Sequence, residues 1–340
     1  SGPQSRGLGD VYKRQTLDFD VLRLEAVTDS DESIVESWEG PDGTVAVTRF
    51  GEGELRLRVN SSYSLGSSAS APNERMQGQL PMLLHPDARS VFFLGLGTGI
   101  TASGAMQFPF ERIVVCEVNP GVIRAAQEHF QPWLRGLFED PRVRVIPEDG
   151  RTWLAANSER YDLIIADIFL TYKIGVGSLY TREHFEVVRD RLEPGGTFVQ
   201  WLPMFDTSIE EFRTIVRTMQ DVFPSVTLWR RSFSPVFPVY ALVGCMEETP
   251  LSMEGVERGL ATLREDPDLD ERTWLFHLPL AAFVADLSAR ADDFADAPLN
   301  TDDRTRLEYS APMTERESKG AGRLPVLAWE TLLRYCEDLQ

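Results

Sequence analysis

Very little in this sequence points to a covalent or metal-built scaffold. It has three cysteines, Cys116, Cys245 and Cys336, which are far apart, odd in number and form no CxxC pair. That pattern excludes a disulfide framework or a zinc ribbon as the organising device, and a reducing cytoplasm is the expected setting. The four histidines, His85, His129, His184 and His277, are scattered without metal-ligand spacing, so no metal is expected. No apolar run approaches the roughly 18 residues of a membrane span, and none is expected. Positive charge is scarce: 34 Lys and Arg face 53 Asp and Glu, a formal net charge of −19. A nucleic-acid backbone or an anionic membrane surface is therefore a poor main partner. The excess acid is compatible with a cationic substrate, and equally with a solvated surface kept soluble by charge.

What is present is a chain of 340 residues, 42% hydrophobic and 26% charged. This is ordinary for a folded protein of about two domains and unlike the composition of a disordered one. The first fifteen residues, SGPQSRGLGDVYKRQ, differ from the rest in being Gly-rich and basic. They resemble a translated adapter scar and are set aside from the fold.

Residues 45–50 and 55–60 alternate in polarity around Gly51-Glu52-Gly53, the signature of a β-hairpin. The Ser- and Gly-rich stretch 61–72 reads as a loop, and Asn73 as the cap of a helix running to Leu84. From Ser90 the pattern changes to alternating strands and helices. Strands are expected at 91–94, 112–116, 143–146, 162–166 and 197–202, with late ones at 226–229 and 239–243. Helices are expected to 107 and over 119–130, 151–156, 181–192 and 209–222, with Pro194-Gly195-Gly196 closing the fourth. Such alternation predicts an α/β fold with a mostly parallel sheet covered on both faces. The expected organisation is a small N-terminal β-domain (16–72), a catalytic domain (73–246) and a helical or irregular extension (247–340).

Four features fall at the carboxyl ends of these strands, where open α/β sheets bind ligands. The first is Gly95-Leu96-Gly97-Thr98-Gly99, a turn that lets backbone approach a ligand at a helix N-terminus. The second is Glu117, about 20 residues on, placed to accept hydrogen bonds from ribose hydroxyls. The third is Asp149-Gly150, where a carboxylate can hold an adenine amino group. The fourth is Asp167. Any single acid at a strand end is also a common helix cap, and a glycine turn alone is a common βα connection. All four in register predict a Rossmann-like fold of the class I methyltransferase type, binding an S-adenosyl nucleotide.

The ordered strings LPMLLHPDARSVFFLGLGTGIT, VVCEVNPGVIRAA, DPRVRVIPEDGRTWL, RYDLIIADIF, SLYTREHFEVVRDRLEPGGTFVQWLP and LNTDDRTRLEYSAP carry a resemblance. Together they resemble the polyamine aminopropyltransferase (spermidine synthase) family, and most of all the bacterial branch found fused to membrane transporter-like segments. The resemblance implies a seven-stranded catalytic sheet. It also implies transfer of an aminopropyl group from decarboxylated S-adenosylmethionine to an amine, with release of methylthioadenosine. On this likeness Asp167 matches the catalytic aspartate, with Tyr180 grouped beside it. Glu117 matches the ribose acid, Asp149 with Gly150 the adenine site, and Gly95, Gly97, Thr98 and Gly99 the glycine loop. Tyr63, Tyr172, Trp201 and Asp206 are candidates for the acceptor site, although Trp201 reads more readily as core. A dimer is implied as well.

The departures sit on the acceptor side. The family's GGGDG has Thr98 in place of its acid, its D-x-x-D-P has Leu170 in place of its second acid, and its tyrosine-bearing helix reads Asn73-Glu74-Arg75-Met76. These differences keep three rivals open. One is a methyltransferase releasing S-adenosylhomocysteine, the second a lyase or cyclase that cleaves S-adenosylmethionine without an acceptor, and the third a non-catalytic nucleotide-binding module.

Overall fold

The computed structural model describes residues 32–40, 43–60, 63–231, 238–247, 252–264, 282–320, 334–336 and 338–339. Residues 1–15, read above as a scar, lie outside them. The described N-terminal residues form an antiparallel sheet in the order β1 (Glu32–Gly40), β2 (Gly43–Phe50), β3 (Glu54–Val59), β4 (Tyr63–Ser67). The expected hairpin is β2–β3. The stretch 61–72, expected as a loop, instead contributes β4 and then a 3-10 turn, Ser68–Ser70. An edge strand bonded on one side needs only backbone pairing with β3, so its Ser and Gly side chains hide it from a polarity pattern.

Among the described residues the second sheet has eight strands, one more than expected, in the order β12-β10-β11-β9-β8-β5-β6-β7. Here β5 is Ser90–Leu94, β6 Arg112–Cys116, β7 Val143–Ile146, β8 Tyr161–Ala166 and β9 Leu192–Pro203. The last three are β10 (Ser225–Arg230), β11 (Val239–Cys245) and β12 (Phe283–Asp286). Pairs among β7, β6, β5, β8 and β9 are parallel, whereas β11 runs antiparallel to β9 and to β10. The extra strand comes from the segment read as a C-terminal extension: β12 pairs antiparallel with β10 at the sheet edge. Four residues with exposed ends make too short a pattern to read as a strand without its partner.

Alternate residues of the parallel strands build two cores. Val91, Phe93, Ile113, Val115, Leu163 and Ile165 face one side. Phe92, Leu94, Val114, Cys116, Ile164 and Ala166 face the other. Both sets are buried, which explains why these strands read as apolar runs rather than as polar-apolar alternation.

Local chemistry sets the helix ends. Asn119 accepts from Gly121 N at 2.9 Å and opens the helix Pro120–His129. Ser208 and Glu211 form a reciprocal capping box on Ile209–Gln220. The helix expected from Asn73 begins at Ala71. The one expected to run to Gln107 is α-helical only over Ile100–Ser103 and 3-10 over Gly104–Gln107. There Gly78 and Gly104 bring two helices together: a Cβ on Gly78 would lie 2.1 Å from Thr101 O. The helix expected to reach Leu192 stops at Asp190, and Pro194-Gly195-Gly196 lies inside β9 rather than closing a helix. Among the described residues no helix is long and apolar enough to cross a membrane.

Candidate active site

The chain runs β5, β6, β7 to one edge, then returns to place β8 on the opposite flank of β5. The crevice at the carboxyl ends of β5 and β8 is therefore the topological switch point. The glycine loop leaves β5 and Asp167 leaves β8, and Asp167 N donates to Leu94 O at 3.2 Å across the two strands.

Gly95, Gly97 and Gly99 have φ of 94°, 54° and 83°, all in the left-handed region that glycine enters without steric cost. Space is as short as conformation. A Cβ on Gly95 would lie 3.3 Å from the Phe169 ring, and one on Gly99 3.0 Å from Leu134. Glu117 holds this loop from below. Its Oε2 accepts from Leu96 N at 3.1 Å and Gly97 N at 3.4 Å, and its Oε1 from Asn119 N at 3.0 Å. Burial raises its pKa, and the three amides partly offset that. Asp149 caps the helix Gly150–Ala156 by accepting from Thr152 N at 2.7 Å. Gly150 is packed so tightly that a Cβ would lie 2.9 Å from Leu94. The expected nucleotide residues thus line one rim, and each carries a structural duty there.

Asp167 is half-buried, and burial raises its pKa. Hydrogen bonds from Ile168 N, Thr101 and Gln77, and the charge of Arg231, pull the other way. Gln77 is the bridge. Its Nε2 donates to Asp167 Oδ1 at 3.1 Å, while its Oε1 accepts from Arg231 Nη1 at 2.7 Å. Its backbone carbonyl takes the Trp201 indole N–H at 3.1 Å. Burial lowers the Arg231 pKa to about 10, against the pull of Glu74 and Asp167, so the group stays cationic at neutral pH. One helical turn before Gln77, Glu74 accepts from Ser67 N at 3.0 Å and from the hydroxyls of Ser70 and Thr98. Thr98, expected as a nucleotide contact, therefore spends its hydroxyl on tying the glycine loop to the helix Ala71–Leu84.

Other expected residues are placed differently. Tyr180, expected as catalytic, is fully buried, and its hydroxyl donates to Phe169 O at 2.8 Å. This geometry makes it a support for the loop after Asp167. Trp201, expected in the acceptor site, lies in the core at 0% exposure. Tyr172 and Asp206 are half-buried neighbours; burial first, then the charges of Asp206 and Glu315, pushes the Tyr172 hydroxyl pKa up. Tyr63 opens β4, but its side chain lies outside the described residues. Leu170 is buried, and Cys116 is a buried thiol with its pKa pushed up to about 12. Of the scattered histidines, His129 meets Glu36 and Glu128 at the surface between β1 and the helix Pro120–His129, with Arg124 already paired to Glu128.

Gln77 and Arg231 were missed by the sequence reading. Gln77 gave no local signal, because what sets it apart, its burial with Arg75 and Gln79 in the helix Ala71–Leu84, is a property of packing. Arg231 gave none, because only the pairing of β10 with β11 brings it to the crevice.

The family model for the spermine/spermidine synthase domain matches residues 72–247, just over half of the chain. A polyamine aminopropyltransferase from Aeropyrum pernix is 31% identical over 187 residues, covering 54% of this chain and 59% of that protein. Polyamine aminopropyltransferase 2 of Pseudomonas aeruginosa is 32% identical over 177 residues, covering 51% of each. The chain thus spans little more than half the length of these relatives. Among solved structures, the spermidine synthase of Thermotoga maritima superposes with a TM-score of 0.60 at 19% identity, covering 78% of this chain and 88% of that one. A spermidine synthase in complex with the transition-state analogue AdoDATO gives 0.57 at 19% identity, covering 71% and 82%. With the fold and the strand-end site both in place, the chain belongs to the spermine/spermidine synthase domain family.

Proposed function

We propose that this protein transfers an aminopropyl group from a sulfonium donor to a primary amine. The amine lone pair attacks the propyl carbon beside the sulfonium. The carbon–sulfur bond breaks with its electron pair going to sulfur, and neutral methylthioadenosine leaves. The new ammonium then gives up one proton. Because the transferred group is aminopropyl, the donor is S-adenosylmethionine already decarboxylated; the relatives named as aminopropyltransferases support this choice.

The observation that carries the reading is Asp167, a half-buried carboxylate at the switch point with its orientation set by Gln77, Thr101 and Ile168 N. Burial raises its proton affinity, which suits a group that accepts a proton from an attacking amine. Sulfonium is already a good leaving group, so the protein's main contribution is to position two reactants. The glycine loop, Glu117 and Asp149 would hold the nucleoside, and Tyr172 and Asp206 would line the acceptor side. The buried thiol Cys116 and the lack of any CxxC pair fit a reducing cytoplasm.

Incubation with the decarboxylated donor and a panel of α,ω-diamines, read by mass spectrometry, tests this. Methylthioadenosine together with an aminopropylated amine is the expected outcome. Methylthioadenosine without any amine would mark a lyase, S-adenosylhomocysteine in a parallel incubation with S-adenosylmethionine a methyltransferase, and binding without turnover of either donor a non-catalytic module.

A further inference from the structure

The late motif LNTDDRTRLE lies more than 130 residues from Asp167 in sequence, as the separation of 133 between Gly175 and Glu308 reflects. In the fold it closes on the loop that leaves Asp167. Glu308 stands in the first turn of the helix Arg306–Gly320. Its Oε1 accepts from Gly175 N at 2.6 Å and its Oε2 from Gly177 N at 3.1 Å. Asn300 is fully buried, and its Nδ2 donates to Gly177 O at 3.0 Å. Asp302 accepts from Thr181 Oγ1 at 2.8 Å and from the Arg151 guanidinium. Arg151 also donates to Ser178 O at 2.8 Å, so the residue directly after Gly150 touches the same loop.

The loop is shaped to be gripped. Gly175 has φ 84°, and a Cβ on Gly177 would lie 2.8 Å from Glu308 Oε2 and 2.9 Å from Glu308 N. The far end of the loop returns to the site: Tyr180 donates to Phe169 O, and the Phe169 ring packs over Gly95. Anchoring at residues 175–178 is thereby passed to Phe169, next to Asp167 and against the glycine loop. A carboxylate taking the backbone N–H groups of two residues, Gly175 and Gly177, makes charge-assisted bonds, stronger than neutral ones.

We propose that Glu308 is a positioning residue for amine transfer, with Asn300 and Asp302 completing a clamp that fixes the loop after Asp167. This deepens the function proposed above and rests on it for its kinetic test. Displacements of about an ångström at a reacting centre cost on the order of 10²-fold in rate, so a loosened loop is expected to be visible in turnover.

The experiment compares wild type with Glu308→Ala, Glu308→Gln and Gly177→Ala. In Glu308→Ala, kcat/KM for the amine falls about tenfold or more, clearly further than the Kd for methylthioadenosine changes, and the melting temperature is nearly unchanged. Glu308→Gln keeps one acceptor oxygen and falls between wild type and Glu308→Ala, and Gly177→Ala behaves like Glu308→Ala. Amide hydrogen exchange at Gly175 and Gly177 accelerates in Glu308→Ala. Unchanged kcat/KM would overturn the proposal, and so would a loss of methylthioadenosine binding in step with a lowered melting temperature, since either makes Glu308 merely structural. If the wild type transfers nothing to any amine, the functional reading fails. The exchange and methylthioadenosine measurements then decide the clamp alone, and unchanged exchange sinks it.

Discussion

The bridge between Asp167 and Arg231 can be inverted with one near-isosteric change, Gln77→Glu. In the native site the Gln77 amide donates to Asp167 and accepts from Arg231, so it satisfies both charges at once. The variant side chain still accepts from Arg231 but presents an oxygen to Asp167 where a donor stood 3.1 Å away. Two unit negative charges about 3.1 Å apart repel by roughly 5 kcal/mol at an effective dielectric near 20. Arg231, 2.7 Å from the other oxygen, offsets part of this. A residual of only about 1.4 kcal/mol already moves a pKa by one unit. The two carboxyls are then expected to compete for one proton, so Asp167 keeps its proton to higher pH than in the native site and less of the base form is present at a given pH. On the acid limb, kcat/KM should fall by about tenfold or more. The acid limb of its pH profile should move up by at least about one unit, so that raising the pH restores part of the rate. Gln77→Leu removes the same hydrogen bond without adding charge, and its loss should not recover with pH. Steady-state kinetics from pH 6 to 10 would read both variants. An acid limb that stays in place in Gln77→Glu would refute the assignment of Asp167 as the titrating base.

Asp167→Asn keeps an oxygen for Ile168 N and Gln77, so methylthioadenosine binding by calorimetry should stay within a few-fold while turnover falls about 10²- to 10⁴-fold. Because burial raises the Asp167 pKa, its ionisation opposes folding as pH rises above the ordinary carboxylate range. The Asn variant should therefore melt no lower than wild type at neutral pH. Gly95→Ala forces φ 94° on a residue with a Cβ and presses on Phe169, costing about 1–2 kcal/mol and weakening methylthioadenosine binding about tenfold by calorimetry. Glu32 has the opposite sign to Asp167. Burial alone would raise its pKa, but hydrogen bonds from Arg58 and Thr48 and the charges of Arg58 and Arg56 bring it below the usual value. Its contribution to stability is thus present above the ordinary carboxylate range and is lost as pH falls through its lowered pKa. Its side chain is 0% exposed and Arg58 Nη2 lies 2.6 Å away, so Glu32→Gln should cost about 3–5 kcal/mol in urea melts at neutral pH and flatten the acid loss.

Much of the second sheet was legible because its rules are local. The runs Val91–Leu94, Ile113–Cys116 and Leu163–Ala166 are buried on both faces, and only a parallel sheet between two helical layers makes runs of that kind. Glycines with left-handed φ after β5, and acids at the ends of β6 and β8, follow from the same strand-end geometry, so spacing alone placed Gly95, Glu117 and Asp167 together. The β4 edge strand and β12 were not legible, because pairing that depends on a partner strand leaves little trace in side-chain polarity.

What each acid does once placed was settled by tertiary structure. The sequence by itself determined the strand-end positions of Glu117, Asp149 and Asp167, since chain direction and turn chemistry act over a few residues. Only the fold decided that Gln77 and Arg231 flank Asp167, that Thr98 serves Glu74, that Tyr180 and Trp201 are inside, and that Glu308 grips the loop from 133 residues away. Those contacts join segments distant in sequence, and a hydrogen bond across such a distance is specified by packing rather than by any local pattern.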